Sequence, residues 1–154
     1  MSSALETSIK ILCVPTEAGT HFPGQCNAPQ ALIDTGGLSR KLESLGYNVS
    51  IDDGVLSKDV FSQAARWVPA KKQNGVRNEE NTLRVLNEVQ QHLRNSSEEL
   101  RKNFNIVLGG DCSITPAVFS GFCSGHPAST KVGLLYIDGY ETSSQNSSGS
   151  WRDT

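Results

Sequence analysis

The chain has 154 residues, of which 36% are hydrophobic and 19% are charged, and its formal net charge is −2. This length is enough for one domain with a sizeable core, and the moderate charge content argues against a charge-driven disordered chain. The small negative charge gives no electrostatic footprint for nucleic acid or for an anionic membrane surface, so neither is an expected partner.

The first third of the sequence predicts the order strand, loop, helix, strand. Residues 8–14 form an apolar run typical of a buried strand, and a loop rich in glycine and proline follows from Pro15 to Pro29. Apolar residues then recur at helical spacing from Ala28, and Gly36-Gly37 is a point at which this helix can divide. Alternation of polar and apolar residues from Tyr47 to Asp52 predicts a short strand.

The middle of the sequence predicts two helices of different quality. Ser57 is a candidate N-cap for a short helix that Pro69 would end, and a polar turn is expected from Lys71 to Gly75. The stronger helix starts after Asn78, a candidate N-cap, with two glutamates in its first turn, where the helix dipole favours anions. Its predicted apolar stripe consists of Leu83, Leu86, Val89 and Leu93.

Two later apolar runs each end on an acidic residue. The first, Phe104–Leu108, leads into Gly109-Gly110-Asp111-Cys112, and the second, Val132–Ile137, leads into Asp138. Residues 113–123 between them have a helical pattern. Buried strands that alternate with helices predict a parallel α/β sheet, with its chemistry at the carboxyl ends of the strands.

The composition changes after Thr142. Residues 143–150 contain no apolar side chain, so we predict an α/β domain over residues 1–142 and a disordered polar tail over residues 143–154. No run of the sequence approaches the roughly 18 apolar residues that span a bilayer. We therefore expect a cytoplasmic protein with no membrane partner and with reduced cysteines.

The order Gly-Gly-Asp-(His or Cys)-Ser, followed by Asp-x-His-x-Asp, resembles the ureohydrolase family of arginase, agmatinase and formimidoylglutamase. The resemblance covers residues 8–142 and implies a three-layer α/β/α sandwich around a parallel sheet, truncated here to about four strands. In the strand order of that family, the strand Val132–Ile137 would lack both of its neighbours. This predicts a poorly stable domain, unless that strand pairs directly with the strand before Asp111 or another chain fills the gap. The second motif departs from the family pattern, with Tyr140 in place of the histidine and Thr142 in place of the second aspartate.

The resemblance also implies a pair of Mn²⁺ ions and the residues around them. Asp138 matches the carboxylate that bridges the two ions, Cys112 and Glu141 are two further candidate ligands, and Asp111 would orient neighbouring groups. For Cys112 the alternative is a small buried residue, because a thiolate is a poor ligand for Mn²⁺. For Glu141 the alternation of a strand would direct the side chain away from Asp138.

The loop before the first helix resembles the loop that shapes the substrate mouth in this family. His21 and Gly24 are its candidate substrate-loop residues, and the alternative for His21 is a solvated loop histidine. His92 falls on the polar side of the stronger helix, so we expect it to be exposed.

By resemblance, the chain is a Mn²⁺-dependent hydrolase of C–N bonds in linear guanidino or amidino compounds. Two ions in such a site generate hydroxide and polarise the substrate. Holding two ions requires more metal ligands than Asp138, Cys112 and Glu141 supply. We therefore predict that this chain is inactive, a pseudoenzyme. Two alternatives stay open: a catalytically dead partner in homo- or hetero-oligomers with full-length relatives, or a non-functional truncated gene product.

Overall fold

The computed structural model describes residues 8–69, 72–73, 76–127 and 129–135. Strands and helices alternate along these ranges, in agreement with the predicted α/β class. In chain order they are β1 (Ser8–Val14), α1 (Ala28–Asp34), α2 (Leu38–Ser44), β2 (Asn48–Asp52), α3 (Lys58–Gln63), β3 (Lys72–Gln73), β4 (Val76–Arg77), α4 (Glu79–Asn95), α5 (Ser97–Leu100), β5 (Phe104–Gly109) and α6 (Thr115–Ser124).

Within the described residues, the main sheet has three parallel strands in the order β2–β1–β5. In the middle strand, Ile9 pairs with Val49 of β2 on one side and with Phe104 of β5 on the other. Every residue of β1 after the first is buried, as expected for a central parallel strand that is covered on both faces. The register places Val14 opposite Gly109, so β1 and β5 end side by side at one edge of the sheet.

Helices cover both faces of this sheet, which confirms the predicted three-layer arrangement. On one face Ile9, Ile11 and Cys13 of β1 pack against α1 and α2. On the other face Leu12 and Val14 belong to a larger core that α4 and α6 complete. The helical residues buried in this larger core include Val85, Val89, Leu93 and Ala117.

The two long helices of the second layer are in close contact. A Cβ atom added to Gly121 of α6 would lie 2.8 Å from the Cβ of Leu93 on α4. Beside this contact, the side-chain amide of Gln90 donates a hydrogen bond of 2.7 Å to the hydroxyl of Ser120. Glycine at position 121 therefore allows the helix pair to approach closely while a polar bridge fixes its register.

The predicted division at Gly36-Gly37 is confirmed, since α1 ends before these residues and α2 begins after them. The end of α2 follows from Gly46, which has a φ of 89°. Its N–H donates to the carbonyl of Glu43, and the N–H of Tyr47 donates to the carbonyl of Leu42. These two bonds form a Schellman motif, which turns the chain into β2.

The helix starts show one confirmed and one wrong prediction. The Ser57 hydroxyl accepts the N–H of Val60 at 3.4 Å and caps α3, although α3 ends at Gln63, well before Pro69. Asn78 precedes α4 in a left-handed conformation, but its amide donates to the carbonyl of Ala18 at 3.0 Å instead of capping the helix.

The predicted apolar stripe of α4 is wrong at Leu83, whose side chain is 50% exposed. The buried face instead begins at Val85, two positions later and therefore on the opposite side of the helix. The predicted polar turn after Lys71 contains a short antiparallel ladder, in which Lys72 pairs with Arg77 and Gln73 with Val76.

The predicted strand Val132–Ile137 is not formed in its described part. Residues 132–135 adopt no strand, and residues 136–137 lie outside the described ranges. Leu134 is 56% exposed and Leu135 is 84% exposed. An apolar run becomes a strand only when a neighbouring strand pairs with it, and the described part of the chain brings none beside this run. The predicted tail over residues 143–154 also lies outside the described ranges.

Candidate functional site

The carboxyl ends of β1 and β5 meet two loops, residues 15–24 and the corner Gly109-Gly110-Asp111. Gly110 is the point of closest approach, because a Cβ atom there would collide with the carbonyl oxygens of Thr16 and Gln25. Only glycine fits such a contact between two backbones. Gly110 therefore serves to bring the corner against the loop after β1.

Asp111 joins these two loops. Asp111 is buried, with only 8% of its surface exposed. One carboxylate oxygen accepts the N–H of Gly19 at 2.6 Å, and the other accepts the N–H of Ser113 at 2.9 Å. The second bond caps the short 3-10 turn Cys112–Ile114, which leads into α6. Asp111 thus holds the loop after β1 and starts the following helix with the same carboxylate.

Glu17 is a second buried carboxylate in this region, 6% exposed. One of its oxygens accepts the N–H groups of Gly24 at 2.6 Å and Cys26 at 3.3 Å, and the other accepts the N–H of Trp67 at 3.1 Å. Burial by itself would raise the pKa of Glu17, but these backbone hydrogen bonds outweigh it and lower the pKa. Glu17 is therefore held ionised, and it fixes the loop to the segment after α3.

Cys26 lies beside Glu17, and its sulfur accepts a hydrogen bond of 3.4 Å from the guanidinium of Arg66. Arg66 in turn lies over the ring of Phe61 at 4.2 Å. Burial, together with the Glu17 carboxylate, raises the pKa of the Cys26 thiol against the opposing effect of Arg66. A neutral, buried thiol is a weak nucleophile, so Cys26 has a packing role in this loop.

Cys112 lies at the corner and is exposed, so the alternative of a small buried residue is wrong. The side chain of the preceding residue, Asp111, turns inward to bind Gly19 and Ser113, while Cys112 remains at the surface. His21 is exposed, and Gly24 adopts a φ of 106° in the loop that Glu17 fixes. Asp138 and Glu141, the other two predicted ligands, lie outside the described residues, and so do Tyr140 and Thr142. The predicted roles of these residues stay predictions.

A cluster of charges under α4 was not anticipated from the sequence. The Lys10 ammonium lies 3.4 Å from Asp52 and 2.8 Å from Glu99, and the same Asp52 oxygen lies 3.0 Å from the ring of His92. The expectation that His92 is simply exposed is therefore wrong. Burial disfavours the charges of Lys10 and Asp52. The contacts with Glu99 and then Asp52 outweigh it and raise the pKa of Lys10. The contacts with His92 first, and with Lys10 after it, lower the pKa of Asp52.

Of the predicted manganese ligands, Cys112 alone lies within the described residues. Its thiol prefers softer metals than Mn²⁺. Asp111, predicted to orient neighbouring groups and not to bind the metal, uses both oxygens to accept backbone N–H groups. Across the described ranges, no group of three or more His, Cys, Asp and Glu side chains is arranged to hold a metal ion.

The helices of the described ranges include none with the length and apolarity needed to cross a membrane.

Comparison with known proteins supplies the family. No curated protein matches the chain. Among protein-family models, that of the Arginase family matches residues 7–150. This match covers the sheet, both helical layers and the Gly-Gly-Asp-Cys corner. The chain therefore belongs to the arginase family of ureohydrolases.

Proposed function

We propose that this arginase-family domain descends from Mn²⁺-dependent hydrolases of linear guanidino or amidino compounds and does not itself catalyse that hydrolysis. Membership of the family supports the first part. The second part rests on the side chains at the positions that carry metal ligands in the family. Cys112 offers a thiol, Tyr140 offers a phenol that stays protonated near neutral pH, and Thr142 offers an uncharged hydroxyl.

The observation that carries this proposal is the set of side chains at these ligand positions, and the neighbouring Asp111 adds no metal donor to it. Its two oxygens bind two backbone N–H groups, one from the loop after β1 and one from the turn before α6. A carboxylate engaged in this way stabilises the corner and does not replace a metal ligand that Cys112, Tyr140 or Thr142 fails to supply. In a ureohydrolase, bound manganese supplies a hydroxide and a polarising charge. Asp111 instead holds the loop after β1 and the turn before α6 together.

The proposal is tested on the purified chain with two measurements. Isothermal titration with Mn²⁺ reports binding, and a colorimetric assay reports urea release from arginine and from agmatine. We expect no saturable binding of two ions and no urea above the level of a protein-free control. A stoichiometry of about two Mn²⁺ per chain, the number a binuclear site requires, together with urea release would overturn the proposal.

A triple substitution provides a matched gain-of-function control. Cys112→His, Tyr140→His and Thr142→Asp restore the donors of the family pattern, whereas Cys112→Ser changes the corner without adding a donor. We expect the triple variant to bind Mn²⁺ more tightly than the wild-type chain and Cys112→Ser to bind it no better. Equal affinity of all three proteins would show that these positions do not limit metal binding, contrary to the proposal.

A further inference from the structure

We draw no further inference here: the strongest candidate, the apolar groove of about 380 Å³ between β5 and α6, is already lined by Val132, Gly133 and Leu134 of the same chain, and nothing in the described residues shows what covers the rest of it.

Discussion

The buried carboxylate of Glu17 determines how the loop after β1 is held, and Glu17→Gln tests this directly. The variant keeps the size of the side chain but replaces one acceptor oxygen by an NH₂ group. Whichever way the amide turns, an N–H group of Gly24, Cys26 or Trp67 loses its acceptor. A hydrogen bond to a charged group contributes about 1.5–3 kcal/mol, and a buried unpaired donor costs about 1–3 kcal/mol. Allowing for relaxation, we expect the free energy of unfolding to fall by about 2–4 kcal/mol.

Urea unfolding at neutral pH, followed by tryptophan fluorescence, measures this change. Glu43→Gln is the control, since Glu43 is exposed on α2 and its neutralisation should alter the stability by less than about 0.5 kcal/mol. The pH dependence gives a second readout. The pKa of Glu17 is lowered by folding, so its contribution is present above the ordinary pKa of a glutamate and is lost as the pH falls through the lowered folded value. The difference between wild type and Glu17→Gln should therefore shrink on acidification.

Two results would refute this reasoning. One is a loss of stability at neutral pH no larger than that of Glu43→Gln. The other is a difference in the free energy of unfolding between wild type and Glu17→Gln that stays constant down to acidic pH. Such a result would mean that the ionised form of Glu17 does not hold the loop.

Three further predictions concern the corner and the charge cluster. Asp111→Ala removes the acceptor of the Gly19 and Ser113 N–H groups and should cost about 2–3 kcal/mol in urea unfolding, whereas a loss below about 0.5 kcal/mol, the range of Cys112→Ser, would contradict it. Gly110→Ala forces a Cβ atom against two carbonyl oxygens and should lower the thermal midpoint by about 6–9 °C, equivalent to roughly 2–3 kcal/mol, and an unchanged midpoint would count against the close contact. Asp52→Asn leaves Lys10 with one anionic partner and should cost about 1–3 kcal/mol. This last difference should decrease on acidification, because the pKa of Asp52 is lowered in the folded state, and a constant difference would show that Asp52 is not ionised there.

Much of the α/β framework could be predicted from local sequence. The strands at residues 8–14 and 104–108 are strongly apolar runs, and Gly36-Gly37 divides a helical pattern at the observed place. The corner after β5 was also identified, because two glycines and an acid at the end of a strand have a local signature. These features depend on residues that are close together in the sequence.

The remaining features depend on partners far apart in the chain. Nothing next to Glu17 in the sequence indicates that the N–H of Trp67 will meet it, and nothing next to Lys10 indicates Asp52 and Glu99. A lysine within an apolar strand was nevertheless a usable signal, since a buried ammonium needs an anionic partner. The strand expected at residues 132–137 was wrong in its described part for a related reason. Its apolar run satisfies the local pattern of a strand, but local pattern does not show which strands lie beside it.

The position of β1 between β2 and β5 has a consequence for the order in which the protein can fold. The pairing of Ile9 with Val49 joins nearby segments, but the pairing of Ile9 with Phe104 must wait until most of the described chain has left the ribosome. Long-range parallel pairing forms slowly because a large loop has to close first. During synthesis the apolar residues of β1 therefore stay accessible to chaperones until β5 emerges, and β1 is the first segment for which misassembly should be sought.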